Sequence, residues 1–248
     1  MINFYNFVHA TLIRQDGEEL IIPPYRQKTI TNQELLQNIS DYRYLLQKNV
    51  LPGESVLLAM SISASSVSAL LAIQSIGAIP VLPPAKADLP ALLQLIKSQK
   101  IKVLIADENM HARTESTLES AGIKCLYLSG EINKEATWEP VLVHPDQDAL
   151  VSFSSGTTGS PKSIHRSHRI LSAQHLLIKK IFPPMAQQRD LPIFPNVILH
   201  NLASGITTIL PAIPGFRMDQ LKPENIIAQL QAQHIDTLMG NVFYFRTI

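Results

Sequence analysis

Nine consecutive residues concentrate groups able to hold a phosphate: Ser154, Ser155, Gly156, Thr157, Thr158, Gly159, Ser160, Pro161 and Lys162. Gly156 and Gly159 let the backbone turn sharply and come close to a ligand. Successive backbone N–H groups in such a turn form a concavity that binds anions. The hydroxyls of Ser154, Ser155, Thr157 and Thr158 add donors, and Lys162 adds a mobile positive charge suited to phosphate. A polyphosphate is the guest this pattern fits. The spacing is neither that of a Walker A loop nor that of a G-x-G-x-x-G turn, since two residues separate Gly156 from Gly159 and two more separate Gly159 from Lys162. A flexible Ser/Gly linker is the bland alternative. Its placement argues against it, because an apolar strand is predicted over residues 150–153 and a basic helix afterwards.

Charge agrees with a polyanion site. Between residues 149 and 189 there is no Asp or Glu, while Lys162, Arg166, Arg169, Lys179, Lys180 and Arg189 all fall there. The two helix lysines are read as a solvated face. Other reactive side chains carry weaker signals. His165, His168 and His175 stand at helical spacing without a carboxylate or cysteine nearby in sequence, so they read as solvated or phosphate-proximal rather than metal ligands. His9, His111, His144, His200 and His234 are scattered and receive no role. Trp138 lies in a polar stretch with no aromatic partner in sequence, which argues against a nucleic-acid stacking site. Cys125 reads as a core thiol. No catalytic and no metal-ligating residue is assigned.

The elements that must position the loop follow from periodicity. Short apolar runs at residues 56–60, 79–82, 103–106, 124–128 and 150–153 read as strands. Residues 64–76, 89–99 and 111–121 read as the helices between them, a βαβ rhythm that implies a parallel sheet covered on both faces. Earlier, Thr31 and Glu34 make a T-x-x-E capping box for a helix carrying Leu35, Ile39, Tyr42 and Leu46. Later, helices are predicted over 170–182, 197–203 and 223–233, with strands at 206–210 and 235–239.

Composition bounds the function classes. The 248 residues are 46% hydrophobic and 17% charged, which excludes wholesale disorder. A net charge of +1 provides no global field toward nucleic acid or anionic lipid. The single cysteine cannot close an internal disulfide, pointing to a reducing, cytoplasmic compartment. No signal peptide is read at the N-terminus. Residues 55–85 are free of charge, long enough to raise a membrane span, but seven serines, Gly77, Pro80, Pro83 and Pro84 divide them into strand, helix and strand.

Ser154 through Lys162 resembles the phosphate-binding signature of the adenylate-forming superfamily: acyl- and aryl-CoA synthetases, nonribosomal peptide adenylation domains and firefly luciferase. Residues 29–35, 51–56, 77–81 and 164–168 resemble other family segments, in family order. Residues 192–194 and 205–209 look most like acyl-activating members, including fatty-acyl ligases and β-lactone synthetases. The resemblance implies an α/β fold of stacked parallel sheets with helices on both faces. It implies ATP and Mg²⁺ as cofactors, with Ser155, Gly156, Thr157, Thr158, Gly159 and Lys162 on the β- and γ-phosphates and Ser154 beside them. It implies a carboxylic acid substrate that attacks the α-phosphate, giving an acyl-adenylate and pyrophosphate. The acceptor would be CoA or a carrier-protein pantetheine.

Three departures qualify the match. Ser163 stands where a glycine usually follows the lysine, and Pro195 where many members place a histidine beside the acyl pocket. His200 lies nearby but inside the next predicted helix, so that role is not transferred to it. The family's later motifs, including a magnesium-associated glutamate, a ribose-binding aspartate and the catalytic lysine of a small C-terminal domain, have no match here. The expectation is therefore an incomplete N-terminal AMP-binding domain over residues 1–248. Its first α/β layer would span 50–185 with the phosphate loop at 154–162, and a second layer would start at 190–248. Such a chain would be an excised portion, a truncated gene product or half of a split enzyme, unable to complete adenylation alone. The rivals are a catalytically inactive fragment or degenerate homologue that binds nucleotide or a partner protein without turnover, and an unrelated NTPase. Residues 235–248 are expected to expose an apolar face that invites self-association.

Overall fold

In the computed structural model the uncharged stretch divides as its serines and prolines require. β3 (Ser55–Ala59), α3 (Ala64–Ser75) and β4 (Ile79–Val81) follow one another, and the strand residues Val56 to Ala59 are buried throughout. Burial on both faces is what an unbroken apolar run in a parallel sheet requires. No helix among the described residues is long and apolar enough to cross a membrane. Those residues are 1–14, 17–24, 27–84, 87–108, 117–127, 138–154, 162–213 and 220–248.

The chain divides into two compact units. The first comprises Met1–Asn6, Gln37–Ser61 and Ser65–Ser172. Its six-stranded sheet adds β5 (Val103–Ala106), β6 (Lys124–Leu126), β7 (Asp148–Ser154) and β8 (Lys162–Ser167), in the order β6-β5-β3-β4-β7-β8. Every pairing is parallel except β7 with β8. α4 (Leu89–Ser98) covers part of the sheet. Leu92, Leu95 and Ile96 pack with Leu57, Leu104, Ala106 and Val151, and Leu118 and Ile123 complete that core. α4 starts where Asp88 accepts a hydrogen bond from the Ala91 N–H at 2.9 Å, with Pro90 in its first turn. Both are favoured helix-start features. The predicted helix over 111–121 is described only from residue 117, and residues 117–120 are helical.

The second unit comprises Phe7–Leu36, Ile62–Ala64 and Ala173–Ile248. Its five-stranded sheet joins β1 (Glu19–Ile22) and β2 (Ile30–Thr31) to β9 (Arg189–Pro192), β10 (Thr207–Ile209) and β11 (Thr237–Met239), in the order β11-β9-β10-β1-β2. Only β1 with β2 is antiparallel. The fold is thus α/β with two parallel-dominated sheets flanked by helices, and each sheet ends in one antiparallel edge strand. Its helices are α1 (Tyr5–Leu12), α2 (Asn32–Leu46), α5 (His168–Ile181), α6 (Pro195–Ser204), α7 (Pro223–Ala232) and α8 (Val242–Thr247), of which α1, α2 and α5 begin or end in the first unit. A core of Ile22, Leu191, Ile193, Ile209, Ile226 and Tyr244 holds it together.

The predicted capping box forms. The Thr31 N–H donates to Glu34 Oε2 at 3.0 Å, and the Glu34 N–H donates to Thr31 Oγ1 at 3.3 Å. Sequence reading missed α1, β1, β2, β8, β9 and α8, all of eight residues or fewer. The segment after Lys162 is the consequential correction. It continues as strand β8, where a helix was predicted to follow the loop, and α5 starts only at His168.

Candidate functional site

β7 and β8 form a hairpin whose ladder runs Leu150↔Arg166, Val151↔His165, Ser152↔Ile164, Phe153↔Ser163 and Ser154↔Lys162. Ser154 and Lys162 are therefore cross-strand partners that pin the two ends of the loop. Ser155, Gly156, Thr157, Thr158 and Gly159 lie outside the described residues, as do Ser160, Pro161 and the side chain of Ser154. The structure brings Lys162 to the mouth of the hairpin as an exposed side chain on the edge strand.

Strand side chains alternate between faces. On β8 this places Lys162, Ile164 and Arg166 on one face, with Ser152 and Leu150 of β7 beside them. A direct contact agrees: Arg166 Nη1 donates to Ser152 Oγ at 2.9 Å. Burial holds the half-buried Arg166 guanidinium below its usual pKa, yet arginine stays charged there. Among the described residues no carboxylate lies within ion-pair distance of Lys162 or Arg166. Sequence reading counted Arg166 only as one cation of an acid-free stretch. The missed signal was the i, i+2, i+4 spacing of Lys162, Ile164 and Arg166, which is visible only once the segment is read as a strand.

The opposite face carries His165, whose Nδ1 lies 2.7 Å from Asp148 Oδ2. The register shifts between Asp148 and Leu150, and this irregularity turns Asp148 to the His165 side. Arg169 is engaged separately: its Nε and Nη2 donate to the two Asp146 carboxylate oxygens at 2.7 and 3.1 Å. That pair holds the Asp146 carboxyl below its ordinary pKa.

The histidines depart from their predicted settings. His168 is fully buried, and its Nδ1 accepts the Phe4 N–H at 2.9 Å. Burial pushes its pKa down to about 4, against a smaller upward pull from Asp148. The ring is therefore neutral with its proton on Nε2. His175 is also buried, its Nδ1 3.1 Å from Nδ1 of His200. Burial lowers both, and His200 reaches about 4 with His175 and Lys179 pushing the same way. His168 and His175 are therefore neither solvated nor phosphate contacts. His200 sits inside α6, as predicted, and Pro195 occupies the first turn of that helix, a position proline favours.

Trp138 is likewise corrected. It stacks on Tyr5 with ring centroids 5.6 Å apart, and the Arg43 guanidinium lies 4.4 Å from its ring centre. It is a packing residue whose partners come from distant sequence. Cys125 sits partly buried on β6. No group of three His, Cys, Asp or Glu among the described residues converges as a metal site.

The described hairpin presents exposed and half-buried cations beside a loop rich in hydroxyls and glycines, a chemistry that suits a polyphosphate. The family model of the AMP-binding enzymes matches residues 12–233. The chain belongs to the AMP-binding enzyme family. Among curated relatives of this AMP-binding chain, a 4-chlorobenzoate–CoA ligase of an Arthrobacter species is 30% identical over 175 residues, covering 66% of this chain and 33% of the relative. An olefin β-lactone synthetase of Stenotrophomonas maltophilia is 26% identical over 193 residues, covering 72% and 35%. Among solved structures, a long-chain-fatty-acid–CoA ligase from Archaeoglobus fulgidus superposes with a TM-score of 0.80 at 17% identity, covering 96% of this chain and 51% of that one. The matched stretch thus spans about a third of the length of those curated relatives and about half of that solved chain.

Proposed function

We propose that this chain is the ATP-binding portion of an AMP-forming carboxylic acid ligase. The loop of residues 154–162 would hold the β- and γ-phosphates of ATP, with Ser154, Ser155, Gly156, Thr157, Thr158, Gly159 and Lys162 as its contacts. The carrying observation is the hairpin itself: Ser154 and Lys162 are paired across the ladder, and among the described residues no carboxylate lies within ion-pair distance of Lys162 or Arg166. Pinned ends lower the entropy lost when the loop closes on a ligand. In the proposed reaction a carboxylate attacks the α-phosphate, the bond to the β-phosphate oxygen breaks, and pyrophosphate leaves. Donors aimed at the leaving group stabilise the charge it gains. A thiol of CoA or of a carrier-protein pantetheine would then take the acyl group from the acyl-adenylate, losing its proton as the acyl–phosphate bond breaks and AMP leaves. The likeness to acyl- and aryl-activating relatives supports this class of substrate and acceptor.

Mg²⁺ is proposed as a companion of the ATP phosphates. Such an ion is held largely by phosphate oxygens and water. The described residues provide no protein cage for it, and no step is assigned to it. The setting proposed is cytoplasmic, supported by the single cysteine.

Binding of ATP by the 248-residue chain, measured by calorimetry, tests the reading. The expected outcome is saturable ATP binding that Lys162→Gln weakens by about tenfold or more, one charge-assisted contact being worth roughly 1.5–3 kcal/mol. Absence of saturable binding would overturn it. Pyrophosphate exchange into ATP by this chain alone is expected to be nil, because residues 1–248 show no match to the family's later catalytic motifs, and observed exchange would refute that expectation. A nucleotide binder without turnover is the rival. A longer polypeptide containing this chain that releases AMP and pyrophosphate in the presence of a carboxylic acid would exclude it.

A further inference from the structure

We infer that Arg166 is a second phosphate anchor, and that the polyphosphate site extends from Lys162 at the hairpin mouth along one face of β8 to the Arg166 guanidinium braced on Ser152. This rests on the phosphate-loop reading and deepens it.

The first observation is an uncompensated charge. Arg166 is half-buried, and its one side-chain hydrogen bond among the described residues goes to a neutral hydroxyl. A hydroxyl offsets little of the cost of drying a guanidinium, which ordinarily recruits a carboxylate. Even the exposed Arg169, which bears no such cost, takes both oxygens of Asp146 three residues later. The second observation is that the hairpin turns its own carboxylate away. Asp148 lies at the far end of β7, but the register irregularity sends it to the opposite face, where it meets His165.

The third observation is direction. Ser152 pairs with Ile164, so a guanidinium that reaches Ser152 has moved two residues toward the loop from its own Cα. At about 3.3 Å of rise per residue, that brings it within roughly 7 Å along the strand of the Lys162 backbone, on the same face. Two cations so spaced suit an anion of two or more linked phosphates. The guanidinium also offers the planar donor fork that pairs two oxygens at once, which Lys162 cannot.

The test is a titration of the full chain with inorganic pyrophosphate at fixed ionic strength, with AMP as the ligand that lacks the β- and γ-phosphates. Arg166→Met keeps the buried aliphatic stem and removes the charge. It is expected to weaken pyrophosphate binding by about tenfold, the size of one charge-assisted contact, while AMP affinity stays within twofold. Arg166→Lys is expected to recover part of the loss. Ser152→Ala, which frees the guanidinium without removing it, is expected to cost two- to threefold. Arg166→Met at wild-type pyrophosphate affinity, beside a Lys162→Gln variant that has lost it, would overturn the role of Arg166 and leave the loop reading standing. No saturable pyrophosphate binding by the wild-type chain would overturn both. If Arg166→Met does not fold, Arg166→Lys and Ser152→Ala decide, and wild-type affinity in both refutes the inference.

Discussion

His168, His175 and His200 make this chain sensitive to mild acid. Each is buried, and burial holds each below the ordinary imidazole pKa of 6.5, to about 4 for His168 and His200. Between those two values the unfolded chain binds protons that the folded chain refuses. Stability is therefore full above about pH 6.5 and is lost as the pH falls toward 4. The shift at His168 corresponds to roughly 3 kcal/mol, and His200 adds a comparable amount in the other unit. Asp190 opposes them, since burial raises its carboxyl and the cost is relieved as it protonates. Urea midpoints measured from pH 8 to pH 4 should hold steady above pH 6.5 and drop steeply below it. A flat profile through pH 5 would contradict the buried, neutral assignment. None of this is visible in sequence, where the spacing of His165, His168 and His175 merely resembles a helical face. The structure puts the first on a strand and buries the other two.

Among the elements, the turn from α3 into β4 is tightly constrained. Gly77 has a φ of +74°, and a Cβ there would stand 2.8 Å from Val143 Cγ1 and 3.1 Å from Val141 Cγ1. Its carbonyl accepts the Gly53 N–H at 2.8 Å and the Gln147 side-chain amide at 2.8 Å, which ties three segments of the first unit together. Gly77→Ala should cost about 2–4 kcal/mol, combining left-handed strain with a clash against stiff β-branched side chains. Gly122, with a φ of +73° and nothing within 4 Å, isolates the strain alone. Gly122→Ala should cost only about 1 kcal/mol. Equal losses in denaturant unfolding would show that the packing around Gly77 is looser than the distances indicate. The βαβ elements here were legible because short apolar runs alternate with helical patterns along the chain. β8 was not, because Lys162, Ser163, His165, Arg166 and Ser167 leave Ile164 as its one apolar residue. Pairing with β7 makes that segment a strand.

For the whole molecule, the described surface carries large exposed apolar side chains on two helices. Leu176, Leu177, Ile181 and Phe182 are exposed on or just after α5, and Val242, Phe243 and Phe245 on α8. Residues 235–248 were expected to leave such a face, and Tyr244 alone among the α8 aromatics is buried. An exposed apolar stripe on a helix suits burial against a partner. Light scattering should find mass rising with protein concentration, and Phe243→Asp with Phe245→Asp should suppress the rise. A constant monomer mass at high concentration would count against it.

The sequence by itself determined the α/β class, most of the parallel strands and the place of the hydroxyl- and glycine-rich loop proposed to hold phosphate. Those depend on local period, turn chemistry and a run of small hydroxylated residues. Only the tertiary structure decided which side chains share a face. It set Lys162 and Arg166 beside Ser152, turned Asp148 away, buried His168 against Phe4, and brought Tyr5 and Arg43 to Trp138. Each of these depends on pairing register or on contacts between residues far apart in the chain, and a short, largely polar strand such as β8 carries too weak a hydrophobic pattern to fix its register by itself.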